Sequence, residues 1–143
     1  MRDATQDIIT SLKVLLGELY SSGTKFSPVE VLPEALAYNH IWIREISATQ
    51  ENTKDSNVQR VILNLEIIAG GAAQKGSLTA VNDISDKMLQ IVPSLTLSNF
   101  DVVMPPLMTS YRFVEERTQH ENQTIIIERK QLNFEMLIQE RWK

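Results

Sequence analysis

The strictest constraint in the sequence is the run over residues 58–68, where Val61, Leu63, Leu65 and Ile67 alternate with Ile62, Asn64, Glu66 and Ile68. A period of two places the first set on one face of an extended strand, and an apolar face of that length needs a sheet and a core to cover it. Residues 38–46 are also rich in β-branched and aromatic side chains, with Ile41 and Ile43 on one side and Tyr38, His40, Trp42 and Arg44 on the other. The two segments are expected to pair as a hairpin. Their connection, residues 47–57 (SATQENTKDSN), is polar throughout and longer than a hairpin requires, which predicts a mobile loop of the kind that often carries function.

Helices are expected on either side of this hairpin. Over residues 3–20, Ile8, Leu12, Leu15 and Leu19 recur at steps of three and four, Asp3 can cap the start, and Ser21-Ser22-Gly23 can end it. Pro28 and Pro33 then limit residues 25–36 to a short edge strand. After Gly70-Gly71, Leu78, Val81, Ile84, Met88 and Ile91 mark a second amphipathic helix, capped by Ser77 and stopped by Pro93. The remainder reads as β: a short strand at 100–104, a break at Pro105-Pro106, and a strand at 110–115 (SYRFVE). Residues 115–123 read as a solvated turn. In the last strand Ile125 and Ile127 are odd-numbered, whereas Leu132, Phe134, Met136 and Ile138 are even, which predicts a bulge or break near residues 129–131. The expected fold is one α+β domain over residues 1–143, in the order α-β-β-α-β-β-β, with two helices packed on a mainly antiparallel sheet.

Composition narrows the chemistry. A chain of 143 residues with 43% hydrophobic and 22% charged residues is long enough for one core. It has no Cys, which removes disulfides, thiol nucleophiles and Cys-ligated metals. A net charge of −4 argues against a broad basic face gripping nucleic acid, and the basic residues are scattered among acids. No window reaches the roughly 18 apolar residues of a membrane span, and the N-terminus lacks a signal-peptide pattern, so a soluble chain, intracellular at synthesis, is expected. The Gly71–Ser77 stretch sits where a phosphate-binding loop would, but Lys75 precedes the second glycine instead of following it. His40 and His120 have no ligand partner at helical spacing, and Glu115 and Glu116 point to opposite faces of a strand. No catalytic residue, cofactor or metal site is marked, and a non-enzymatic role is expected.

Three stretches taken in order carry a resemblance: TQDIITSLKVLLGEL, then YNHIWIREISATQENTKDSNVQRVILNLEIIAG, then VNDISDKMLQIV followed by strands ending in KQLNFEMLIQE. This arrangement resembles the tail-terminator or tail-completion proteins of tailed bacteriophages. The resemblance runs from about Thr5 to Glu140, and residues 97–122 depart from the pattern of a typical member. It implies a virion protein that forms a homo-oligomeric ring, typically of six subunits, joining the tail tube to the head connector or an adjacent neck protein. On that basis Trp42, Gln50, Glu51, Lys54, Asp55, Arg60, Arg141 and Trp142 are candidate subunit or ring-stacking contacts. Glu115, Glu116 and Glu121 are candidate lumen carboxylates past which DNA would slide without adhering. The alternative expectation is a small α+β module that binds a protein or ligand through the 47–57 loop.

Overall fold

The computed structural model describes residues 3–21, 23–31, 39–50, 58–72, 77–120 and 122–141. The chain runs through helix α1 (Thr5–Leu16), strands β1 (Leu19–Ser21), β2 (Thr24–Val29), β3 (His40–Gln50) and β4 (Val58–Ala72), and helix α2 (Ser77–Ile91). A 3-10 turn (Val92–Ser94) and strands β5 (Phe100–His120) and β6 (Gln123–Glu140) follow. The strands form one curled, mixed sheet in the order β1-β2-β3-β4-β6-β5. The chain is therefore mostly β, which corrects the expected α+β class and its order α-β-β-α-β-β-β. Four strands precede α2, and two long ones follow it.

Each departure has a local cause. Helix α1 stops at Leu16, with Gly17 as its C-cap, so Leu19 is not the helical residue its spacing suggested. Leu19 and Ser21 are buried on either side of exposed Tyr20, a strand alternation, and β1 folds back on β2 through Gly23 at φ 82°. That is the left-handed region glycine enters without steric cost. The prolines at 105 and 106 do not break the late β region in two. β5 is the edge of the sheet, where a missing N–H is tolerated, and the cost appears as register shifts at Val102/Met104, Met104/Leu107 and Met108/Ser110. Residues 115–120, expected in a turn, continue β5, and the turn is reached at Asn122, whose φ is 64°.

The bulge expected near residues 129–131 is absent from the β4–β6 ladder, which runs unbroken from Val58↔Gln139 to Ala72↔Ile125. The parity switch is resolved differently: β6 buries both faces. Leu132, Phe134, Met136 and Ile138 lie in the main core, whereas Ile127 is buried on the opposite side. There it sits beside the row His40–Ile68–Arg129–Val114.

That core lies between the helices and one face of the sheet. Ile8, Leu12 and Leu16 of α1 and Val81, Ile84 and Met88 of α2 cluster with Ile41, Ile43, Val61, Leu63, Leu65 and Ile67. Asp7 ties α1 to the start of β5, accepting hydrogen bonds from the backbone N–H groups of Ser98 (3.1 Å) and Asn99 (3.0 Å). The β3–β4 pair is antiparallel, with a register shift between Ile43 and Glu45. Strand β3 continues through Ser47 to Gln50, so the first residues assigned to the 47–57 loop are strand; residues 51–57 lie outside the described residues.

Candidate assembly surface

The sheet face opposite the helices carries a charge network drawn from four strands. Cross-strand register aligns Trp42, Glu66, Gln131 and Arg112 in one row and His40, Ile68, Arg129 and Val114 in the next, with Glu116 beside Ile127 beyond them. Arg44 leaves the ladder at the β3 register shift, and its guanidinium lies 5.6 Å from the centroid of the Trp42 ring. The Trp42 indole N–H donates to the Glu30 carbonyl at 3.1 Å, which fixes the plane on which Arg44 rests. Together Trp42, Arg44, Glu66, Val114, Glu116, Arg129 and Gln131 line a shallow cleft of about 180 Å³.

Glu66 is the unusual member, with 2% exposure at the floor of this cleft. Its carboxylate lies 3.6 Å from Arg129 and 3.9 Å from Arg44, and Arg129 also reaches Glu116 at 3.1 Å. The two contacts to Glu66 are ion pairs longer than hydrogen bonds, and Oε2 of Glu66 has no hydrogen-bond partner. Nδ1 of His40, Oδ1 of Asn64 and Nε of Arg129, all on this face, are buried without a hydrogen bond as well. Two cations and two carboxylates thus balance in number, and the arrangement holds a buried charge in place. It lacks the nucleophile–base pairing that covalent chemistry needs. Among the described residues no group of His, Asp and Glu gathers as a metal site, and no helix is long and apolar enough to cross a membrane.

The candidate residues do not gather in this cleft. Trp42 lines it. Arg60 lies on the same face of β4 but six residues before Glu66, paired with Glu135 of β6. Gln50 is exposed at the end of β3. Arg141 is engaged within its own chain, its guanidinium donating to Asp101 at 2.6 Å and to the Ser98 carbonyl at 3.2 Å. Glu51, Lys54, Asp55, Glu121 and Trp142 lie outside the described residues. Glu116 faces the cleft, but Glu115 lies on the helix side opposite Glu128, so a lumen formed by one sheet face would carry only one of the two. Sequence reasoning missed Glu66, Arg44 and Arg129. The available signal was a single carboxylate inside the apolar run ILNLEIIAG, with an arginine in each strand that could flank it.

On the helix side, β5 carries an exposed aromatic pair. Tyr111 and Phe113 meet edge to face at 6.0 Å and 83°, and the Lys130 ammonium sits 5.0 and 4.8 Å from their ring centroids. Burial pushes the Lys130 pKa down, partly opposed by Asp86. Further along, burial and then the negative charge of Glu115 hold the Glu128 carboxyl above its ordinary range, with Arg117 pulling the other way. Because Glu128 binds its proton more tightly folded than unfolded, stability falls as pH rises from the ordinary glutamate range through the raised value. Glu128→Gln is therefore expected to melt slightly above wild type at neutral pH, with the two curves converging near pH ~4, as read by thermal denaturation across a pH series.

A second cleft, of about 330 Å³, lies between α1 and the segment after the 3-10 turn, lined by Thr10, Ser11, Val14, Leu15 and residues 94–98. It contains no titratable side chain, which leaves it without acid–base chemistry. No protein-family model matches the sequence, and no curated protein matches it.

Proposed function

We propose that the chain is a structural, non-enzymatic subunit of a homo-oligomeric ring at the head–tail junction of a tailed bacteriophage, a tail-terminator, tail-completion or neck-ring protein. Its partners would be further copies of itself, six in the typical ring, together with the tail tube and the head connector or a neighbouring neck protein. DNA would pass through the lumen without specific binding. The reading rests on the three sequence stretches that carry the resemblance; the element order departs from the expected one, with β1 and β2 inserted after the first helix.

The observation that most favours an assembly role is the open edge of the sheet. β5 spans 21 residues with β6 as its one neighbour among the described strands, and Val103, Leu107, Tyr111 and Phe113 along it are 42–58% exposed. A long edge with apolar side chains is an aggregation hazard for a subunit that works alone and a ready contact for one that assembles. Mass photometry of the purified chain, alone and with tail tubes, tests the proposal. Particles of six times the 16.3 kDa monomer, or tubes carrying the chain at one end, are expected. A strictly monomeric chain that ignores the tubes would overturn it.

A further inference from the structure

The edge strand β5 ends in a stretch that is complementary to itself. Over residues 110–120 its register with β6 is regular, free of the shifts that disturb the segment around Pro105 and Pro106. Natural edges are commonly blunted by proline, bulges or irregularity, and only the first half of β5 is protected in this way. The second half presents the sequence SYRFVEER with Tyr111, Phe113, Glu115 and Arg117 on the helix side and Arg112, Val114 and Glu116 on the other. All of these except half-buried Val114 are exposed. Arg112 makes no ion pair or side-chain hydrogen bond among the described residues, although the arginines at 44, 117 and 129 all do make ion pairs.

We infer that β5 pairs antiparallel with β5 of a second copy of this chain, about a two-fold axis through Val114, joining two six-stranded sheets into one. In that register Arg112 of each copy stands opposite Glu116 of the other on one face. Tyr111 stands opposite Arg117 on the other face, a charge pair and a cation–π pair each made twice. Directly opposed side chains of this kind favour a β pairing, and like charges oppose it. The register is selective. Moving the axis by two residues sets Arg112 against its own copy, or Glu116 against its own. Self-complementarity of one patch is also the requirement for an isologous contact. Glu116 can serve both partners, because Arg129 approaches it from within the chain while the side chain remains 46% exposed.

This contact occupies the same edge that favours an assembly role, but it closes at two copies, so six subunits would form three pairs and need a different surface to complete a ring. Loss of the pairing would leave a ring built through other surfaces standing, and its failure is read separately from that of the ring. Sedimentation velocity over a concentration series, with circular dichroism to confirm folding, tests it by charge exchange. Wild type is expected to dimerise. Arg112→Glu and Glu116→Arg are each expected to weaken self-association at least tenfold, while an equimolar mixture of the two forms heterodimers and the double variant recovers. The absence of cysteine supplies a second readout that does not depend on the charge variants. Val114→Cys places one thiol on the axis and is expected to oxidise to a covalent dimer, whereas Thr109→Cys, off the axis, is expected to remain reduced. A monomeric wild type, folded charge variants that associate as wild type does, a folded mixture that does not associate, or equal cross-linking at both cysteine positions would each overturn the inference.

Discussion

Replacing Arg129 by alanine is expected to lower the unfolding free energy by about 3 kcal/mol at neutral pH, one of the two largest effects of any single substitution discussed here. The side chain holds two carboxylates at once, Glu66 at 3.6 Å and Glu116 at 3.1 Å, and Glu66 has almost no access to solvent. Without Arg129, Glu66 keeps only Arg44, which is itself at 3.9 Å and 42% exposed. A buried carboxylate left so poorly compensated bears a desolvation cost that nothing offsets. One consequence distinguishes this cause from a simple loss of packing. The double variant Glu66→Leu with Arg129→Leu should recover most of the lost stability, since an apolar pair of similar volume avoids the desolvation of both ions. Urea unfolding of the single and double variants, with unchanged slopes, measures both effects. A deficit that persists in the double variant would place the role of Arg129 elsewhere.

Phe134→Ala is expected to cost about 3–5 kcal/mol, the range for removing a fully enclosed aromatic side chain. Phe134 has no exposed surface and sits at the middle of β6, between Leu63 of β4 and Met108 of β5 in the cross-strand register. Strand β6 is paired on both sides along its length, so its neighbours cannot close on the cavity without disturbing two ladders. Against a total stability on the order of 5–15 kcal/mol for a domain, that loss leaves the fold marginal near body temperature. Phe134→Leu, which keeps most of the volume, should cost less than half as much. Chemical denaturation of the two variants reads the difference, and equal losses would argue that the site is less tightly packed than its burial indicates.

How much of this was legible in the sequence differs by element. The central strands were, because their signal is strict: Val61, Leu63, Leu65 and Ile67 alternate without interruption, and all four are buried as alternation requires. Helix α2 was visible for the corresponding reason at helical spacing, in Val81, Ile84 and Met88. The errors fall where one residue satisfies two patterns. Leu19 continues the helical stripe of α1 and also alternates in β1, and Gly17 decides between them by ending the helix. Proline was read as a strand breaker at positions 105 and 106 because edge position cannot be seen in a linear sequence. A parity switch in β6 implies a break only if one face of the strand is buried; here both are, with Ile127 buried opposite Leu132.

The charged cleft was less legible than the fold. Glu66, Arg44 and Arg129 come from three strands, and only the β3–β4–β6 register brings them together. Trp42, expected as a subunit or ring-stacking contact, makes specific contacts within its own chain: its indole donates to the Glu30 carbonyl and its ring carries Arg44. Glu115 and Glu116 were grouped as lumen carboxylates, but the strand separates them to opposite faces, each with its own arginine.

The proposed assembly of this chain with copies of itself on a tail tube is read by electron cryo-microscopy of purified tail tubes incubated with the chain. A ring of the chain capping one end of the tube, with its subunits in contact with one another, is the expected result. Tube ends that remain bare at saturating concentrations of folded protein would contradict it.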